Sequence, residues 1–266
     1  MKVLLTGPRG NLGTTLQRLG GAHQWMPIDR GDWPRFSALA NGADVIIHAA
    51  SDLLTPVTQD PLSVVESNVT ATARVLEWLG KNRKVRLLFI SSCAVYGRSQ
   101  VTREDGDLAP ISINGTTKLL NEQMIERFCT EAGVPFQIFR LFNTYGGGDR
   151  FSILAQLQRA FAEKRPFTLL NQGISQRDFV HVEDAARLIL RFLERPTSWP
   201  ILNLGCGEAT RIRDIVSEFA HKHPQLEIRA GTRSEAEYSR ADISRLREAE
   251  PAFRFQNVLD FIRREL

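Results

Sequence analysis

The stretch Thr6–Gly13, TGPRGNLG, follows the apolar run of residues 3–5 directly and opens a segment of helical texture from Asn11 to about Leu19. Gly7, Gly10 and Gly13 recur three apart in it. Glycine permits the tight turn and lets backbone approach a pyrophosphate closely. The helix behind the loop turns its first amides, those of Asn11 and Leu12 among them, toward the anion. Glycines also serve plain turns, so the order strand, glycine loop, helix carries the reading: a dinucleotide crevice in an α/β, doubly wound parallel sheet.

Working outward, the next expected feature is an acid about 20 residues on, where a carboxylate takes the two ribose hydroxyls. Asp29 fits, sixteen positions after Gly13. Its neighbour Arg30 would instead face a 2'-phosphate, so NAD is expected and NADP stays open. Asp32 and Trp33 are placed for the adenine edge, or equally as a helix N-cap and an anchoring aromatic.

The same alternation runs on through KVLLT, QWMPID, DVIIHAA, VRLLFISS and VPFQIFRLF, with helix-like stretches between them. That pattern predicts a parallel sheet of about seven strands covered on both faces. Residues 1–145 are read as the dinucleotide domain, completed by about 183–205, and 146–266 mostly as a substrate-binding lobe, with glycines 146–148 at the first exit. Helices are expected near 61–81 and 114–131, with Val69, Leu76, Leu120 and Ile125 available either to the sheet or to a dimer contact.

At 266 residues and 42% hydrophobic, the chain can bury a sizeable core. No apolar run approaches the roughly 20 residues of a membrane span and no export signal is read, so a soluble, cytoplasmic protein is expected. Three cysteines, Cys93, Cys129 and Cys206, lie far apart without metal-ligand spacing, which fits reduced thiols and no metal. The net charge of +4 comes from arginines interleaved with acids, as in residues 240–250, rather than from a basic block, which argues against nucleic acid.

Seven stretches, TGPRGNLG, DVIIHAAS, ESNVTATARVLE, ISSCAVYG, NGTTKLLNE, RLFNTYGGG and QRDFVHVEDAARLI, resemble the extended short-chain dehydrogenase/reductases, specifically the NAD-dependent epimerase/dehydratase group acting on nucleotide sugars. The resemblance implies that Ala49 and Ala50 line the cofactor ribose and that Asn68 braces the fourth-strand region. It implies further that Ser92 hydrogen-bonds the reacting hydroxyl, that Lys118 holds the nicotinamide ribose, and that Asn143 and Arg177 grip the diphosphate, with Arg233 as a second clamp. Each also has a plain structural reading, as a backbone brace, a turn cap or a salt-bridge partner of Asp178 or Asp184. His48 and His181 follow strand patterns and are read as packed residues. The ligand implied is a UDP- or dTDP-linked sugar, and the assembly implied is a homodimer.

One position breaks the pattern. The family carries a tyrosine four residues before the lysine as acid/base, and here Asn114 stands there. An amide has no titratable proton in this range, so it orients a hydroxyl without exchanging its proton. Either the site is crippled and traps its ligand, or another group carries the proton, with Cys93, Tyr96, Thr116 and Tyr145 nearest in sequence. Dehydratases of this family carry acids in the two positions after the serine, where this chain has Cys93 and Ala94, which disfavours a 4,6-dehydratase. The expected reaction is therefore 4-epimerisation through a 4-keto sugar, with 4-ketoreduction as the alternative and a non-catalytic dinucleotide or sugar-nucleotide sensor as the alternative of another class.

Overall fold

A computed structural model describes residues 1–52, 60–99, 102–232 and 238–266. Two compact units emerge, the first comprising 1–97, 108–140 and 186–202, the second 98–107, 141–185 and 203–266. In chain order the strands are β1 (Lys2–Thr6), β2 (Gln24–Ile28), β3 (Val45–His48), β4 (Arg86–Ser92), β5 (Phe136–Leu141), β6 (Asn143–Tyr145), β7 (Phe167–Leu170), β8 (Gln176–His181), β9 (Ile201–Leu204), β10 (Ala209–Arg211), β11 (Ile228–Gly231) and β12 (Tyr238–Ser239).

The first unit is built on a sheet of order β2-β1-β3-β4-β5-β9, whose β1–β2, β1–β3 and β3–β4 pairings are parallel. β3 is buried along its whole length, which is why it reads as an unbroken apolar run ending in His48. Leu4, Ile46, Leu79, Phe89, Ile125 and Ile138 share one core cluster that joins the sheet to the helices Ala71–Lys81 and Ile113–Ala132. Six strands form this sheet among the described residues, against the seven or so expected. After β2 the chain takes a 3-10 turn, Arg30–Arg35, and a short helix, Phe36–Leu39, where Gly31 and Pro34 break up any strand-forming run.

The helix expected over 61–81 is interrupted. Pro61–Val65 and Ala71–Lys81 flank a π-helical turn, Glu66–Thr70. The helix expected over 114–131 runs from Ile113 to Ala132, capped by the Ser112 hydroxyl on the Gly115 N–H and ended by left-handed Gly133. Of the four apolar residues offered to a dimer contact, Leu76 and Ile125 are in the core, whereas Leu120 is exposed. Leu62, Val65 and Ile113 are exposed as well.

In the second unit β8 pairs with β6, β10 and β12, and β7 pairs with β11. Tyr145, Leu157, Phe167, Phe179, Phe219 and Ile262 fill its core. No helix among the described residues is long and apolar enough to cross a membrane.

The first glycine loop depends on contacts that exclude side chains. A Cβ at Gly13 would lie 2.2 Å from the Gly7 carbonyl oxygen, and Gly7 itself has φ +72°. Gly13→Ala is therefore expected to push the first helix off the loop and cost about 1–3 kcal/mol, measured by urea unfolding; unchanged stability would mean that the loop has room the structure does not show.

Candidate active site

The sheet reverses its winding between β1 and β3, since β2 lies on one side of β1 and β3 on the other. Such a switch point is where open α/β sheets bind ligands, at the carboxyl ends of the strands. The loop after β1 and Ala49–Ala50 after β3 meet there: a Cβ on Gly7 would stand 3.0 Å from the Ala50 nitrogen. Both alanine N–H groups donate to Thr6 Oγ1, at 3.1 and 3.0 Å. The helix Asn11–Leu19 has Gly10 as N-cap and no side-chain cap, and the amino end of a helix is a place suited to an anion.

On the adenosine side, Asp29 accepts from Arg9 Nε at 2.8 Å, and its own N–H donates to Asp32 Oδ2 at 2.9 Å. Asp32 thus closes a capping box, and the Asp29 N–H holds the Asp32 carboxyl below its usual range. Arg30 pairs with Asp52 at 3.0 Å, which ties up the guanidinium that would have met a 2'-phosphate. Trp33 stacks on Phe36 at 5.3 Å and, half-buried, packs on the core. Asn68 corrects another expectation: it braces the segment after β3, not the fourth strand. Its Oδ1 accepts from the Asp52 N–H and Ser51 hydroxyl, and its Nδ2 donates to the Asp52 carbonyl, because the π-helical turn aims it there.

The helix Ile113–Ala132 brings Asn114, Lys118 and Glu122 to one face, four residues apart. Its first turn comes so close to the turn after β4 that a Cβ at Gly115 would lie 2.4 Å from the Ala94 oxygen. Ser92 opens that turn, with Oγ accepting from the Ala94 N–H at 3.2 Å. The Asn114 Oδ1 is buried without a hydrogen-bond partner. Lys118 is buried and donates to the Ile90 carbonyl at 2.7 Å, with its ammonium 4.8 Å from the centre of the Phe89 ring. Burial lowers Lys118 to about 8, partly offset by the Glu122 carboxylate.

Beneath them lies a buried network that sequence reasoning missed. Glu122 accepts from Arg140 Nη2 at 2.8 Å and Nε at 3.1 Å, and from the Ser91 hydroxyl. Arg140 Nη1 also donates to the Tyr96 hydroxyl at 3.0 Å. Burial is the largest single influence and opposes the charge of Arg140, but the hydrogen bonds and charge of Glu122 together with Tyr96 outweigh it and raise the guanidinium pKa. Two signals were present: Glu122 continues the spacing of Asn114 and Lys118, and Arg140 is the lone charge in the apolar run of residues 136–142.

His48 is a packed residue, as expected. Thr6 Oγ1, already accepting two N–H groups, gives its proton to His48 Nδ1 at 2.7 Å, which leaves Nε2–H for Thr72 Oγ1 at 3.0 Å. Burial, then the charge of Lys118, push His48 down to about 3. Among the proton carriers considered, Tyr96 is buried on Arg140, and Thr116 points outward to the Ser112 carbonyl. Tyr145 belongs to the second unit, donates to the Gln256 carbonyl, and has its pKa raised by burial. Cys93 is half-buried in the turn after Ser92.

In the second unit, Asn143 on β6 donates to the Asp178 carbonyl at 2.9 Å, and Arg177 lies half-buried on β8 between β10 and β12. Asp178 uses its carboxylate on the N–H groups of Cys206, Gly207 and Ala241. His181 packs against Tyr145 and Phe261. Arg233 lies outside the described residues. The unit also holds a cavity of about 350 Å³ whose lining includes Arg150, Arg159, Arg165 and Phe151. The recurrence of arginine through residues 150–165 was the signal for it, and it was missed.

A family model for the NAD dependent epimerase/dehydratase family matches residues 3–205, and the chain belongs to that family. A relative from Bacillus subtilis (strain 168), described as an uncharacterized UDP-glucose epimerase, YtcB, is 28% identical over 189 residues, 68% of this chain. The chain spans 59% of that relative's length. Among solved structures, the NAD dependent NDP-hexosamine 5,6-dehydratase TunA superimposes with a TM-score of 0.90 at 20% identity, covering 98% of this chain and 95% of that one. The Bacillus cereus UDP-glucuronic acid 4-epimerase, in complex with UDP-glucuronic acid and NAD, gives 0.87 at 23% identity, covering 100% and 98%. Both likenesses establish the fold.

Two outcomes test this geometry. Glu122→Gln leaves Arg140 without its buried counter-ion, and a loss of about 3–5 kcal/mol in urea unfolding is expected; a loss under about 1 kcal/mol would contradict the network. For His48, the folded value lies below the ordinary 6.5, so the unfolded chain binds the extra proton and stability falls as pH drops from 6.5 toward 3. Between pH 7 and 4 the native chain should lose about 3 kcal/mol more than His48→Gln, and equal losses would mean that His48 ionises while folded.

Proposed function

We propose that the chain binds NAD in its first unit and acts on a nucleotide-diphosphate sugar, UDP- or dTDP-linked, by hydride exchange at C4, as a 4-epimerase slowed by Asn114. The observation that carries the reading is the coincidence, in a member of this family, of the glycine cradle with Ser92, Asn114 and Lys118 on one face of the first unit.

The residues present fit the cofactor. The glycine contacts leave backbone, not side chains, lining the loop, and the uncapped helix end suits a pyrophosphate. Asp29 would take the adenosine ribose hydroxyls, and with Arg30 held by Asp52 the reading favours NAD over NADP. When bound, the dinucleotide supplies hydride acceptance and return. Ser92 and Asn114 would orient the reacting hydroxyl: the unpartnered Asn114 oxygen is an acceptor waiting for a donor, and a buried oxygen left without one costs about 1–3 kcal/mol. Arg177, with Asn143 on the neighbouring strand, would hold the diphosphate, a task suited to a guanidinium fork. The 4-ketoreductase and sensor readings remain outcomes of the tests below.

Relatives named for UDP-sugars support the substrate class: YtcB carries a UDP-glucose epimerase description and the B. cereus structure holds UDP-glucuronic acid. Homodimer formation through the helices of the first unit is part of the same proposal, since Leu62, Val65, Ile113 and Leu120 present exposed apolar surface there.

Asn114→Tyr should raise turnover of UDP-glucose or UDP-glucuronic acid about 10²- to 10⁴-fold, read by product analysis. Binding of NAD and sugar nucleotide with no turnover in either form would favour a sensor, and net NADH consumption on a keto sugar would favour the reductase. Light scattering should give a dimer that Leu120→Glu weakens; a native monomer would remove that part of the reading.

A further inference from the structure

We propose that in this chain Lys118 carries the proton, its free amine taking the hydrogen of the substrate hydroxyl that Asn114 orients. The inference rests on the NAD-dependent reading above and names the group that replaces the missing phenol.

Lys118 has few partners. It is buried, its Nζ meets one acceptor, the Ile90 carbonyl at 2.7 Å, and its other neighbour is the Phe89 ring. The titratable groups facing it are Glu122 from its own helix and His48 from β3. Glu122 is already engaged by Arg140 at 2.8 and 3.1 Å and by Ser91, so two cations share one carboxylate. His48 is neutral, with both ring nitrogens on threonine hydroxyls, and supplies no counter-charge. No ion pair to Lys118 occurs within 4.0 Å among the described residues. A buried ammonium whose nearest carboxylate is committed elsewhere gives up its proton more readily than a free lysine, which accords with a value of about 8.

A neutral amine at this place keeps one N–H on the Ile90 carbonyl and holds a lone pair. Asn114, one helical turn back on the same face, has a buried oxygen in need of a donor. A ligand hydroxyl satisfies that oxygen and is thereby presented to the lysine side of the helix. In the oxidation step the O–H bond breaks and its proton joins the Nζ lone pair. The carbon's C–H pair leaves as hydride to the nicotinamide of NAD⁺, and a C=O bond forms. The balance is alcohol, NAD⁺ and amine giving ketone, NADH and ammonium; the reverse step returns both, and return to the opposite face of the ring gives the epimer. Of the other candidates, Tyr96 is engaged by Arg140, Tyr145 donates to the Gln256 carbonyl and Thr116 to the Ser112 carbonyl, while Cys93 lies half-buried in the turn after Ser92 and is separated from Lys118 by the test below.

The test uses the full chain with ¹³C-labelled lysine, the Lys118 resonance being assigned by its loss in Lys118→Arg. Lys118 is expected to titrate near 8 without any ligand. Turnover of UDP-glucose or UDP-glucuronic acid with NAD⁺ should rise about tenfold per pH unit below that midpoint and level off above it. Lys118→Arg, which stays charged, and Lys118→Met should each lose about 10²-fold or more at saturating NAD⁺. The proposal is overturned if either variant keeps its rate within about threefold of native, or if Lys118 titrates near its ordinary 10.5 while the rate follows another midpoint. It is overturned too if the native chain binds both molecules and converts neither sugar. Failure to bind NAD⁺ or any sugar nucleotide would instead defeat the NAD-dependent reading itself, and is recognised by calorimetry before any rate is measured.

Discussion

The chemistry of the first unit depends on a period. One α-helix, Ile113–Ala132, sets Asn114, Lys118 and Glu122 in a row against the end of β4, and each takes its character from the next. Glu122 is fixed by Arg140 and Ser91, which locks the helix to β4 and β5. That commitment limits how strongly Glu122 can hold the charge of Lys118. Lys118 in turn helps keep His48 neutral. The close approach of Gly115 to Ala94 presses the top of the row against the turn that carries Ser92.

The glycine loop follows a different logic. Its backbone is drawn inward by Gly7 and Gly13 until side chains no longer fit, and Ala49 and Ala50 close the far side through Thr6. Thr6 links this cradle to His48 and the helix residue Thr72 in one hydrogen-bonded chain. An acid at 29 and a basic neighbour tied to Asp52 shape the adenosine end.

Much of this was legible in the sequence, for identifiable reasons. The glycine triplet, the apolar runs that became β1, β3 and β4, and the helix closing at Gly133 all express local rules: backbone freedom, strand burial and capping. Asn114 stood out because a short motif fixes what should be there. Other features escaped because they depend on long-range partners. The 3-10 turn Arg30–Arg35, with Pro34 inside it, is a local form that the apolar pattern does not specify. Trp33 stacks on Phe36, a partner that no short motif announces. Asn68 bonds residues 51–52 because a π-helical turn rotates it there, a distortion no periodicity announces. The union of Glu122 with Arg140 spans 18 positions, and neither residue alone declares the other.

The central claim is that the cradle after β1 holds a nicotinamide dinucleotide. Titration calorimetry of the native chain with NAD⁺, repeated on Asp29→Ala, tests it most directly. The account predicts one site per chain, bound more weakly when the carboxylate at 29 is removed. Absence of binding to the native chain, or binding indifferent to Asp29, would contradict it.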